Sequence, residues 1–170
     1  MALVNQTYAA IILITLTLVL QSAGMAALIH LVRAQLSKGI HRFGYVRAAV
    51  LMVGLTHAIF CLHVLEILLW AAFYRWKCFP TWESSSYFSA TSYSTVGYGD
   101  VILQPTWQMV GPVEGLTGVL MCGLSASLLF AIVTRLVARD ERAELANAPA
   151  LTQAASPSAA PIPADSGRKP

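Results

Sequence analysis

The residues able to do chemistry gather in one polar stretch, Thr95-Val96-Gly97-Tyr98-Gly99-Asp100, set between two long apolar segments. Its two glycines alternate with larger residues. Gly97 and Gly99 can take positive φ at little cost, so the backbone here can adopt a path closed to most sequences. Elsewhere the candidates are sparser. His57, His63 and Glu66 fall in one apolar run, Glu114 in another, and His30 near the end of a third. The three cysteines, Cys61, Cys78 and Cys122, are scattered, and no CxxC or His-rich metal spacing orders any of these groups into a metal site.

The six-residue stretch resembles the selectivity filter of potassium channels, letter for letter through Asp100. As an arrangement the resemblance runs from Ala48 to Arg135: apolar helix, short re-entrant helix, filter, apolar helix. It implies a potassium-coordinating filter of Thr95, Val96, Gly97, Tyr98 and Gly99, in which the main-chain carbonyls of Thr95, Val96, Gly97 and Tyr98 replace the water around the ion, with the Thr95 hydroxyl at the inner end. Val96 and Tyr98 then face away from the ion and brace the wall. One loop makes one wall of such a pore, so a homotetramer is implied. Potassium would be the permeant ion and the only metal, with no cofactor. Asp100 would sit at the outer mouth, concentrating cations and hydrogen-bonding behind the filter. Tyr87 stands where many relatives place a tryptophan partner for that carboxylate, and a phenol can donate the same bond. Thr91 stands where some relatives have a glutamate, so a carboxyl–carboxylate pair with Asp100 is not expected.

The elements that must position this loop follow from composition and charge. The chain has 170 residues, 56% hydrophobic and 11% charged, which points to an integral membrane protein. Three apolar runs are long enough to cross a bilayer. The reading divides the chain into residues 1–47, a transmembrane helix and basic loop; 48–139, a pore domain; and 140–170, a cytoplasmic tail, mostly disordered. Within the pore domain the outer helix spans 48–74, the pore helix 82–93, the filter 95–100 and the inner helix 108–137. Ser84, Ser85 or Ser86 is expected to cap the pore helix, with Glu83 suiting the positive end of its dipole. Trp70, Tyr74 and Trp76 are expected to form an aromatic belt at the outer interface. The fold class is therefore an all-α membrane protein: three transmembrane helices plus a re-entrant pore helix and filter loop, around a tetrameric pore. Nine of the eleven Lys and Arg residues then lie on one side, Arg75 and Lys77 being the exceptions. The positive-inside rule makes that side cytoplasmic, with the N-terminus extracytoplasmic and the C-terminus cytoplasmic in the cell membrane.

Other residues carry competing readings. Glu114 can hydrogen-bond the back of the pore helix or act near the conduction path, since intramembrane carboxylates are expensive. His63 and Glu66, three residues apart on one helix face, can form a proton sensor or a polar helix–helix contact, the first span being one candidate partner. Gly118 is a candidate hinge or a close-packing site. Leu120, Gly123 and Ser127 are candidate cavity-lining positions. Neither of the first two spans has Arg at every third position, as a voltage sensor would require. The reading is a passive potassium channel subunit and not an enzyme. Its partners are potassium ions, the bilayer and further copies of itself, with no nucleic acid. The rival classes are the translocating subunit of a potassium uptake transporter, a less selective cation channel, and a membrane enzyme or metal protein built on His30, His57, His63 and Glu66.

Overall fold

The computed structural model describes residues 2–37 and 44–154. Four helices follow one another: α1 (Ala2–Ser37), α2 (Gly44–Lys77), α3 (Trp82–Tyr93) and α4 (Val110–Ala154). Three carry stretches long and apolar enough to cross a membrane: Leu3–Gln35, Ala49–Lys77 and Val110–Arg135. The protein is thus an all-α, multi-pass membrane protein. The described residues up to Phe130 form one compact unit, and those from Ala131 onward, the rest of α4, form a second.

Helix ends follow local chemistry. α2 begins at Gly44 and runs on to Lys77, past the expected Tyr74, with Arg75 and Lys77 in its last turn against the helix's negative end. α3 spans the expected 82–93. Its N-cap is Thr81 rather than a serine inside the helix: the Thr81 hydroxyl accepts the Ser84 N–H at 3.2 Å, and the residue is extended (φ −126°, ψ 151°). The serines cannot cap because they already have helical backbone; Ser85 instead donates to the Thr81 carbonyl at 2.8 Å. α4 begins at Val110, since residues 107–109 are held in turns, with the Trp107 N–H on the Gln104 carbonyl and the Val110 N–H on the Trp107 carbonyl. Pro112 sits in its first turn, where a missing N–H costs nothing. At the other end α4 continues to Ala154, past the inner helix's expected end at residue 137. The run Glu141–Ala146 is made almost wholly of strong helix formers, which favours this continuation. Lys38, Arg42 and residues 155–170 lie outside the described residues.

The core of the first unit is aromatic. Leu13, Trp70, Tyr74, Leu103 and Val110 are buried together, with Phe73, Phe88 and Trp107 packed on them. Tyr74 meets Phe88 edge-on at 4.9 Å, and Phe73 meets Trp107 at 5.3 Å. Such pairs contribute about 0.5–1.5 kcal/mol each beyond the area they bury. Trp70 and Tyr74 are therefore core residues with no exposed surface, not members of an interfacial belt; only Trp76 of that trio is exposed. Each buried ring carries a polar atom, and each finds a partner inside: Trp70 Nε1 on Thr17 at 2.9 Å and Tyr74 Oη on Glu114 at 2.8 Å. A partner in the bundle outweighs the lipid interface for both.

α1 is tied to the rest by a polar stripe. Gln6, Thr17 and Gln21 are all buried on one face, interleaved with Ala10, Leu13, Leu28 and Val32. Gln6 accepts the Met109 N–H at 3.0 Å. Gln21 donates to Ser125 Oγ at 2.9 Å and to the Met121 carbonyl at 3.2 Å. Gly24 lies directly against the Leu62 side chain. The first span thus packs on α2 and reaches α4 of its own chain.

Gly115 and Gly118 let α4 press on the end of α3. A Cβ at Gly115 would stand 3.1 Å from the Ser92 carbonyl oxygen, and one at Gly118 would overlap the Tyr93 carbonyl. Gly123 faces open space. Gly118→Ala is expected to destabilise the folded chain by about 1–3 kcal/mol. Gly123→Ala should leave stability unchanged or raise it by up to about 1 kcal/mol through helix propensity. Thermal unfolding in detergent reads both, and equal effects would contradict this packing. Beside the aromatic core, burial pushes the Cys78 thiol up to about 11. Its thiolate fraction at about pH 8 is then roughly a hundred-fold below that of an ordinary thiol, and alkylation should be slower in proportion.

Candidate functional site

The polar loop begins as the end of a helix. α3 closes with Ser94 as C-cap, its N–H bonded to the Ala90 carbonyl. The next residue, Thr95, has φ 60°. The Thr95 N–H then reaches the Ser92 carbonyl at 3.0 Å and the Val96 N–H reaches the Thr91 carbonyl at 2.9 Å. These two bonds, with a left-handed residue at that place, make a Schellman termination. Glycine is the usual occupant. A β-branched residue there is an outlier, and such a backbone costs about 1–3 kcal/mol. The two hydrogen bonds, at about 1 kcal/mol each, are of the size needed to hold it.

The chain then stays irregular through Val96, Gly97 and Tyr98, with positive φ at Gly97 (52°) and Gly99 (81°). Left-handed backbone thus recurs at 95, 97 and 99, every second residue. The Gly97 N–H joins Val96 on the Thr91 carbonyl, at 3.1 Å. Thr91 therefore supports the loop through its main chain, while its own hydroxyl donates to the Phe88 carbonyl at 3.0 Å. At the loop's far end the Tyr87 hydroxyl donates to Asp100 Oδ2 at 2.8 Å. That bond, more than desolvation, holds the Tyr87 phenol above its ordinary pKa. Thr95 to Asp100 are all exposed in the single chain, and a groove of about 620 Å³ runs beside them, lined by Phe88, Thr95, Gly97, Ile102, Pro112 and Leu116.

Two buried carboxylates stand behind this loop. Glu114 on α4 receives the Tyr74 hydroxyl of α2 on Oε2 at 2.8 Å, and its Oε1 lies 2.5 Å from Ser89 Oγ of α3. Glu66 on α2 receives the Tyr93 hydroxyl on Oε2. His63 Nδ1 stands 3.1 Å from that same oxygen and 2.9 Å from Tyr93 Oη. His63 and Glu66 therefore do meet across one helix turn and make a polar helix–helix contact, with Tyr93 of α3 rather than with the first span. α1 instead spends its polar groups on Trp70, Ser125 and Met109. His57 is exposed and takes no part in this cluster. Gly118 sits at the α3 junction already described.

Tyr93, Ser89 and Tyr74 escape a reading of the sequence alone, as do Thr17 and Gln21. A usable signal was present for α1: Gln6, Thr17 and Gln21 recur at helical spacing in an otherwise apolar run, marking one face. For Tyr93 and Ser89 no such signal exists, because their partners are far away along the chain.

A family model described as "Ion channel" matches residues 58–135, the stretch from mid-α2 through the loop to the end of the apolar part of α4. No curated protein and no solved structure matches the chain.

Thr95→Gly tests whether the left-handed backbone at Thr95 stores strain. It should raise stability by about 1 kcal/mol, measured by thermal unfolding. A residue without strain would instead lose about 0.5–1 kcal/mol on replacement by Gly.

Proposed function

We propose that this chain, whose residues 58–135 match a family model described as "Ion channel", is the subunit of a potassium-selective channel whose filter is Thr95–Gly99. The observation that carries the reading is the left-handed backbone at 95, 97 and 99 in an irregular segment hung from a helix end. Alternating hand turns successive peptide planes so that neighbouring carbonyls face one side. A file of neutral oxygens can then replace an ion's water without binding it so tightly that it stays. Such backbone is tolerated at membrane depth only where protein buries it or it lines a water-filled cavity.

In this reading the main-chain oxygens of Thr95, Val96, Gly97 and Tyr98 coordinate the ion, and the Thr95 hydroxyl serves the inner end. Asp100 draws cations to the outer mouth, held in place by Tyr87. Four copies complete the pore, each covering the groove beside its neighbour's filter. The exposed face of α4 bearing Leu120, Gly123 and Ser127 lines the vestibule below. The α3 dipole points its negative end toward that vestibule, where it stabilises a waiting cation. The N-terminus is extracytoplasmic and the C-terminus cytoplasmic. Permeation is passive, without cofactor or catalytic step. His63 and Glu66 act by fixing Tyr93, and with it the base of the filter.

The test is bilayer recording of purified chain in asymmetric potassium and sodium. The reversal potential should follow the potassium gradient alone. A shift with sodium or proton gradients would instead mark a coupled transporter, and equal permeation of sodium a non-selective pore. Gly97→Ala should abolish selective current, because its φ of 52° admits a side chain only with strain. A Gly97→Ala chain that conducts as before would overturn the filter assignment.

A further inference from the structure

The contacts around Glu114 leave one proton to be placed. The Ser89 hydroxyl carries a single hydrogen, yet its oxygen stands 2.8 Å from the Ile67 carbonyl and 2.5 Å from Glu114 Oε1. Neither a carbonyl nor a carboxylate has a hydrogen to offer. If Ser89 gives its hydrogen to Ile67, the contact with an ionised Glu114 sets lone pair against lone pair. If it gives it to Glu114, the Ile67 contact becomes the unmade one. The 2.5 Å length is short for a hydroxyl contact but suits either direction of transfer.

The surroundings decide between them. Glu114 is fully buried, and its neighbours are Tyr74 on α2 and Ser89 on α3. Of the other titratable groups on these elements, Tyr93 interacts electrostatically with Glu114, and Glu66 and His63 stand behind it. Among the described residues no Lys, Arg or His lies within ion-pair distance of Glu114; the one ion pair is His63 with Glu66. An unpaired buried carboxylate costs several kcal/mol. A neutral acid removes that cost and supplies the missing hydrogen.

We propose that Glu114 is held as a neutral carboxylic acid and that its proton completes a one-way chain of hydrogen bonds. Tyr74 donates to Glu114 Oε2, the acid hydrogen on Oε1 goes to Ser89 Oγ, and Ser89 donates to the Ile67 carbonyl. Every buried polar atom in that chain is then used once, and α2, α3 and α4 are locked at one point. Glu114 is a positioning residue: it touches no permeant ion but fixes the helix from which the loop hangs. Its importance for conduction rests on the channel reading; its protonation does not.

Infrared difference spectroscopy of the full chain in lipid vesicles tests this directly, comparing wild type with Glu114→Gln. A protonated-acid carbonyl band should be present in wild type, absent in Glu114→Gln, and constant from about pH 5 to about pH 7. Ser89→Ala should keep the band and move it to higher frequency, because the acid loses its acceptor. No acid band, a band that titrates away in that interval, or one unmoved by Ser89→Ala would each overturn the proposal. Gln can reproduce the pattern, its N–H₂ donating to Ser89 and its oxygen accepting from Tyr74. Glu114→Gln should therefore unfold thermally as wild type does, while Glu114→Ala unfolds at lower temperature. A Gln variant as unstable as Ala would also overturn it. None of these readouts depends on ion selectivity, so a non-selective pore with the expected band would sink the channel reading and leave this one standing.

Discussion

One main-chain oxygen supports the loop on which everything else bears. The Thr91 carbonyl accepts both the Val96 and the Gly97 N–H, two groups that water would otherwise have to satisfy. In a bilayer that alternative is missing, so irregular backbone survives only where protein or an enclosed aqueous space meets its hydrogen-bonding needs. The rest of the first compact unit fixes where that carbonyl stands. Thr81 starts α3 at one end, Tyr93 is tethered to Glu66 at the other, and Ser89 is tethered to Glu114 between them. Gly115 and Gly118 then allow α4 to close on the last turn.

Lipid tails are as apolar as leucine, so helices in a membrane gain little by hiding apolar faces from one another. Close approach through small residues and hydrogen bonds between helices decide which faces meet. This chain uses both. Its apolar outer faces carry Val, Leu, Ile and Phe, while its contacts run through Gly24, Gly115, Gly118, Thr17, Gln21, Ser89, Glu66 and Glu114. Each interhelical hydrogen bond contributes on average about 0.6 kcal/mol, so register comes from their number and spacing rather than from any one. The aromatic cluster around Tyr74 and Phe88 adds the shape-specific part.

Much of this was legible in the amino-acid order, because its strongest signals are local. Apolar runs mark the spans, and the Gly-Tyr-Gly spacing marks the irregular loop. Pro80 and Pro112 fence helix ends, so α3 falls where expected. The Tyr87–Asp100 bond was also accessible, through the resemblance that sets Tyr87 where many relatives place a partner for that carboxylate. What could not be read were pairings across long stretches of chain. Trp70 and Tyr74 look like interfacial aromatics until Thr17 and Glu114 are seen to receive their polar atoms. His63 and Glu66 announce themselves as a pair, but Tyr93 is known as their partner only once α3 lies beside α2. The strain at Thr95 was hidden for another reason: threonine rarely takes that backbone, and only the completed termination shows it doing so.

The stripe on α1 bears on how the chain is made. Gln21 emerges from the ribosome a hundred residues before Ser125, the hydroxyl that answers it. Until Ser125 is made the Gln21 amide stands without its native partner, and Thr17 waits likewise for Trp70. The first helix is therefore seated in two stages, by α2 through Trp70 and later by α4 through Ser125. Assembly of this protein is a matter of order in time as much as of contact in space.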